Sequence, residues 1–192
     1  MPLQDRIHSR IEGSAQLALD AAAALAPGIA AAAQLIVHCL TQGGKVLAVG
    51  AGNGIFLARH FASLMVNRYE ADRPGLAAIA LACDLALAGD GDGDGRYTRQ
   101  IRSLGLPGDV LLALDAGDDP GAILALCDAA AGRGMARVVL GPAPSRVAGE
   151  PAADDAVHLM MPAASGARLH ELQLLALHCL CDAVDSLLLG VD

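Results

Sequence analysis

Between Lys45 and Met160, five short apolar runs, "KVLAV", "AAIAL", "DVLLAL", "ARVVL" and "AVHLM", are separated by segments of helical composition. Each run is apolar throughout instead of alternating with polar residues, the pattern of a strand buried on both faces. Such strands, joined by helices and glycine-rich turns, pack as a parallel sheet with helices on both sides. Upstream, Leu3, Ile7 and Ile11 recur every four residues, and Leu17, Leu19 and Leu25 carry the apolar stripe toward Pro27, where a first helix is expected to end. A second helix, "GIAAAAQLIVHCLTQ", is expected to stop at Gly43-Gly44. Downstream, Leu169, Leu172, Leu177, Leu180 and Val184 mark a long helix from about Ala164 to Leu189. The 192 residues therefore read as one α/β domain: a helical arm over 1–42, a five-stranded parallel core over 43–163 and a C-terminal helix over 164–192.

Several function classes are excluded by composition. A net charge of -8 with no Lys/Arg cluster repels a phosphate backbone, and 2% aromatics is too few for a base-stacking platform, so no direct nucleic-acid partner is expected. No apolar run approaches the roughly 20 residues of a membrane span, and "MPLQDRIHSRIEGSAQ" carries charges where a signal peptide needs its apolar stretch. A cytoplasmic protein is expected, with no membrane partner. Cys39, Cys83, Cys127, Cys179 and Cys181 lie in apolar segments without a CxxC pair and read as buried free thiols. "GDGDGDG" at Gly89–Gly95 resembles the start of a calcium loop, but its twelfth position is Ile101 where a bidentate Glu is needed, so it reads as an acidic surface loop.

Ligands of such sheets bind at the carboxyl ends of the strands. The first such end, "KVLAVGAGNGIFLARHF", turns through Gly50-Ala51-Gly52-Asn53-Gly54 into a helix. A dinucleotide fingerprint would place its third glycine at Ile55, so a nicotinamide enzyme is not expected. At the second, Asp115-Ala116-Gly117-Asp118-Asp119-Pro120, three carboxylates precede a helix whose start is explained by Asp119 as N-cap and Pro120 in the first turn. A carboxylate about 5 Å from an anion costs roughly 3 kcal/mol at an effective dielectric of 20, more than half a charge of helix dipole offsets. The turn is expected to persist without its phosphate.

"RHFASLMVNRYEADRPGLAAIAL", "GDVLLAL" and "ARLHELQLLALHCLCDAVD" resemble the sugar isomerase (SIS) domain proteins, specifically the phosphoheptose (sedoheptulose 7-phosphate) isomerases. "QDRI", "NRYEADRP" and "CLCDAVD" lean toward the DiaA-type members, which bind the bacterial replication initiator DnaA. The resemblance, which covers nearly the whole chain, implies a five-stranded parallel sheet assembled into a homotetramer with sites at subunit interfaces. The family's first loop is Gly-Asn-Gly-Gly-Ser, with Gly54 here in place of the Ser, and its second loop is a cup of hydroxyls that this chain lacks. The segment after Asp84 is also shorter than the family's.

Catalytic groups implied by the resemblance are half retained. His60 and His178 match the family's two histidines; Leu64 stands where its Glu should be and His170 replaces its Gln. Leucine cannot move a proton. No cofactor is expected; zinc held by His60, His170 and His178 is the alternative. Arg68 matches a family arginine that either lines the cleft or forms a structural ion pair. On these departures the expected function is that of a non-catalytic, tetrameric, DnaA-binding protein. Gln4 and the end of "DSLLLGVD" (Leu188, Leu189) are its expected contacts, since three consecutive leucines cannot all face one core. The alternative is a sedoheptulose 7-phosphate isomerase, serving lipopolysaccharide heptose synthesis, with a rearranged site in which His178 and His60 act.

Overall fold

The computed structural model of the chain describes all residues except 51–53, 71, 82–94, 118–119, 145–154, 164–165 and 191–192. In chain order the elements are α1 (Leu3–Thr41), β1 (Val46–Gly50), α2 (Gly54–Val66), β2 (Ala78–Ala80) and α3 (Gly95–Leu104). There follow β3 (Val110–Leu114), α4 (Pro120–Ala131), β4 (Ala136–Pro142), β5 (Ala156–Met161) and α5 (Gly166–Leu189). The strands form one sheet in the order β2-β1-β3-β4-β5, and every pairing is parallel. This is the α/β architecture that the five apolar runs predict.

Alternate residues of the strands feed two cores. Val46, Ala48, Val110, Leu112, Leu114, Val138 and Leu140 face α1, α2 and α5. Leu47, Val49, Leu111, Ala113 and Val139 face α3 and α4. Because both faces are covered, β1 and β3 are buried at every position, which is why their runs show no polar alternation. Ile101, the misfit of the calcium-like loop, is buried in the second core; Asp90, Asp92 and Asp94 lie outside the described residues.

Three expectations are corrected. The arm is one helix, not two, and Pro27 sits inside it. A proline removes the bond to the carbonyl four residues back; here both Pro27 and Ala23 are exposed, so water can satisfy that carbonyl. Second, α1 and α5 are each long and apolar enough to cross a membrane, with mean hydropathies of 1.7 and 1.6 over their most apolar windows. In α5 this is the composition of a core helix, with Leu169, Leu172, Leu177, Leu180 and Val184 buried. Third, Cys39, Cys127 and Cys181 are buried free thiols but Cys179 is exposed; Cys83 lies outside the described residues.

Candidate functional site

The strand order reverses direction at β1: β2 is added on one side and β3 on the other. The carboxyl ends of β1 and β3 therefore open the crevice where doubly wound sheets bind ligands. Their register pairs Gly50 with Leu114, so the turn into α2 and the loop at Asp115 sit side by side. Gly50 is required there: a Cβ would lie 2.2 Å from the carbonyl carbon of Gly54. Gly54 in turn packs against the Leu114 carbonyl, where a Cβ would come within 3.1 Å. The first turn of α2 carries no acidic residue that would repel an anion at the positive end of the helix. Gly52, Asn53, Asp118 and Asp119 lie outside the described residues.

Asp115 does not line the crevice as a bare charge. It is 7% exposed, and its Oδ1 accepts the Gly117 N–H at 2.7 Å. The picture of three carboxylates crowding a phosphate is corrected on this count: one of them is spent inside its own turn. α4 begins at Pro120, as the helix-start chemistry predicts.

The chemistry-bearing groups meet between α2 and α5. His60 Nε2 and His178 Nε2 are 2.9 Å apart, with ring centroids at 5.2 Å and an edge-on arrangement. Tyr69 also packs against His178, tilted by 35° with ring centroids 5.8 Å apart. Partial burial, and then the facing His60, push the His178 imidazole below its ordinary value, while Glu70 pulls the other way. Burial and the carboxylates of Glu70 and Asp182 push the Tyr69 phenol up, so it stays protonated. Leu64 is half-buried and packs against the main core.

α5 is anchored to the sheet by Gln173. Its amide donates to the carbonyls of Asp115 (2.8 Å) and Leu140 (2.9 Å), the carboxyl ends of β3 and β4. Neither Gln173 nor Tyr69 is singled out by the sequence reading. The signal for Gln173 was present: it is a polar residue among Leu169, Leu172, Ala176 and Leu177 on the buried face of α5.

A zinc site draws on three or four protein ligands, and no group of three His, Cys, Asp or Glu converges among the described residues. The expected trio of His60, His170 and His178 is not assembled. His170 lies two turns, roughly 12 Å, before His178 on α5. Its Nδ1 is 3.3 Å from the Gly166 carbonyl, and its Nε2 is buried without a partner.

Other candidates take surface positions. Arg68 is exposed, with its guanidinium 3.9 Å from the also exposed Asp72 carboxylate. Gln4 is exposed on α1. Leu188 packs against the chain's own core, whereas Leu187 and Leu189 are exposed.

The SIS domain family model matches residues 11–141. A phosphoheptose isomerase of Thiobacillus denitrificans is 48% identical, the alignment covering all of both chains. One from Aromatoleum aromaticum is 44% identical over 100% of this chain and 99% of its own length. Among solved structures, a phosphoheptose isomerase from Francisella tularensis superposes with a TM-score of 0.87 at 34% identity, covering 97% of this chain and 100% of that one. The phosphoheptose isomerase of Neisseria gonorrhoeae gives 0.86 at 31% identity, covering 96% and 100%. These full-length relatives overturn the expectation of a non-catalytic, DnaA-binding protein, which rested on what Leu64 and the acidic loop remove. The retained histidines meet in space, and Asp115 is turned inward.

Proposed function

The chain belongs to the SIS-domain family, and from that membership we propose that it is a phosphoheptose isomerase, interconverting sedoheptulose 7-phosphate and its aldose isomer. The observation that carries this is the His60–His178 pair, 2.9 Å between Nε2 atoms, in a chain aligned over its full length with phosphoheptose isomerases.

Isomerisation moves one proton between adjacent carbons and another between their oxygens. His178, held below its ordinary value, is neutral near pH 7 and takes the proton from C1 of the ketose. The C–H electron pair forms the C1–C2 double bond, and the carbonyl π pair moves onto the C2 oxygen. That oxygen takes a proton from His60, which His178 replaces across the 2.9 Å Nε2–Nε2 contact. Loss of the O1 proton back to His60 regenerates a carbonyl at C1, while the reverse transfer across that contact lets His178 return a proton to C2. Two imidazoles in contact thus replace the Glu whose place Leu64 occupies. The phosphate is held by backbone N–H groups at the start of α2. His60 lies six residues, roughly 9 Å, along that helix, a separation that suits a substrate whose phosphate and reacting carbons are at opposite ends.

The reading extends to a cytoplasmic homotetramer. Leu3, Ile7, Ile11 and Leu19 on α1 are exposed. A groove of about 300 Å³ between α1 and α5, lined by Leu25, Ile29, Leu172, Leu175 and flanking alanines, continues the apolar surface. Incubation with sedoheptulose 7-phosphate, followed by NMR of the anomeric protons, tests the activity. Aldose phosphate is expected from the native chain. Turnover no greater than that of His178→Ala, alongside an active relative as control, ends the proposal.

A further inference from the structure

α2 and α5 meet a second time, at a buried ion pair. Arg73, in the segment that leaves α2, donates from Nε to Asp185 Oδ1 on α5 at 2.6 Å. Its Nη1 donates to the Met65 carbonyl at 2.8 Å and its Nη2 to the Leu64 carbonyl at 3.1 Å. Both side chains are buried, Arg73 to 1% and Asp185 to 7% exposure.

We propose that Arg73 and Asp185 are positioning residues: gripping the last carbonyls of α2 from α5, they set the helix separation at which His60 and His178 touch. Asp185 follows His178 by seven residues, two turns, and so lies on the same face of α5. Leu64 and Met65 follow His60 by four and five residues, about one turn on α2. Clamp and pair therefore lie on one seam between the same two helices. The carbonyls held are among those that a helix C-terminus leaves without intrahelical partners, and a cation there also meets the negative end of the dipole.

The bonding is arranged for geometry rather than for charge pairing. A stability-maximising Arg–carboxylate contact is a two-pronged fork. Here only Nε reaches Asp185, Asp185 Oδ2 is buried with no partner, and the other nitrogens go to backbone. A planar guanidinium reaches three directions at once, which a lysine ammonium on the same stem does not. A buried ion pair is in general replaceable by apolar residues without loss of stability. Its retention here is explained by the place it gives α2.

The catalytic consequence rests on the isomerase reading; the geometric claim does not. The experiment compares the full-length native chain with Arg73→Lys and with the apolar double variant Arg73→Met/Asp185→Leu. Three things are measured: thermal melting, the nuclear Overhauser cross-peak between the two imidazole rings, and kcat and KM with sedoheptulose 7-phosphate. Both variants are expected to fold, to weaken or lose the cross-peak, and to lower kcat by about 10- to 100-fold with KM within about twofold. A folded double variant that keeps the cross-peak and kcat overturns the proposal, because the pair is then a replaceable packing element. If the double variant does not fold, Arg73→Lys is read by the same two outcomes. If the native chain shows no turnover, the isomerase reading fails separately and the cross-peak alone decides the clamp.

Discussion

Partial burial and the facing His60 ring hold the His178 imidazole below its ordinary value of 6.5. A base works when unprotonated, so kcat/KM is expected to be flat near neutrality and to fall on the acid side only below that value. Glu70 opposes the shift, hence Glu70→Gln moves the acid limb to still lower pH; a pH–rate profile of both proteins checks the sign. The same linkage acts on folding. Where the native pKa is depressed, the unfolded chain binds more protons, so this contribution to stability is present above about pH 6.5 and is lost as pH falls through the native value. Replacing His178 or His60 by alanine should cost about 10²–10⁴ in turnover. The cysteines offer a separate check. Burial pushes the Cys39 thiol up to about 11 and Cys181 to about 12. At pH 8 both should resist iodoacetamide in the native protein and react after denaturation, as mapped by mass spectrometry. The two histidines were readable in the sequence because residue type and position sufficed. The direction of a side chain was not: Asp115 counted as a repulsive charge because nothing in "LDAGDDP" says that its carboxylate folds back onto Gly117.

Strands announce themselves through a continuous apolar run, and the five runs became β1 to β5 in order. The arm was harder, since a proline at the centre of an apolar stripe ordinarily ends a helix. What decides is whether the freed carbonyl faces water, a tertiary fact. Pro27→Ala restores the bond in an exposed turn. The propensity gain of about 3 kcal/mol, less about 0.4–1 kcal/mol of lost unfolded-chain restriction, should raise stability by about 2 kcal/mol in urea titration. At Gly28 next to it, a Cβ would meet Leu159 Cδ2 at 2.5 Å, so a larger residue there requires the end of that leucine to shift. The turn from β1 into α2 makes the opposite prediction. Gly50→Ala puts a methyl 2.2 Å from backbone that cannot give way, and should destabilise by about 3 kcal/mol while loosening the α2 N-terminus. A melting curve together with a raised KM for sugar phosphate would show both effects.

Assembly has the last claim on the apolar surface. α1 is 39 residues long, yet only 28% of its most apolar window is buried within the chain. Leu3, Ile7 and Ile11 lie four residues apart on one stripe of its exposed part, at 72%, 51% and 65% exposure. A stripe this regular on a free helix is costly in water unless another surface covers it. The chain's own acidic charge of -8 makes an electrostatic partner a poor explanation for an uncharged seam. A second copy presents the same stripe, which an isologous contact can use on both sides. One isologous contact accounts for two copies, and the proposed tetramer requires a second interface. On that proposal light scattering finds four copies of the 19.4 kDa chain, and Ile7→Glu/Ile11→Glu should lower the copy number while leaving the circular dichroism of the α/β core unchanged. Neither residue lies in the His60–His178 site, so the effect on turnover is informative. If the site is completed across subunits, the dissociated variant loses activity and regains part of it at high protein concentration; if each chain is self-sufficient, its kcat stays at the native value. A native chain that scatters as a monomer at tens of micromolar would remove the tetramer from the account and leave the stripe on α1 without a partner.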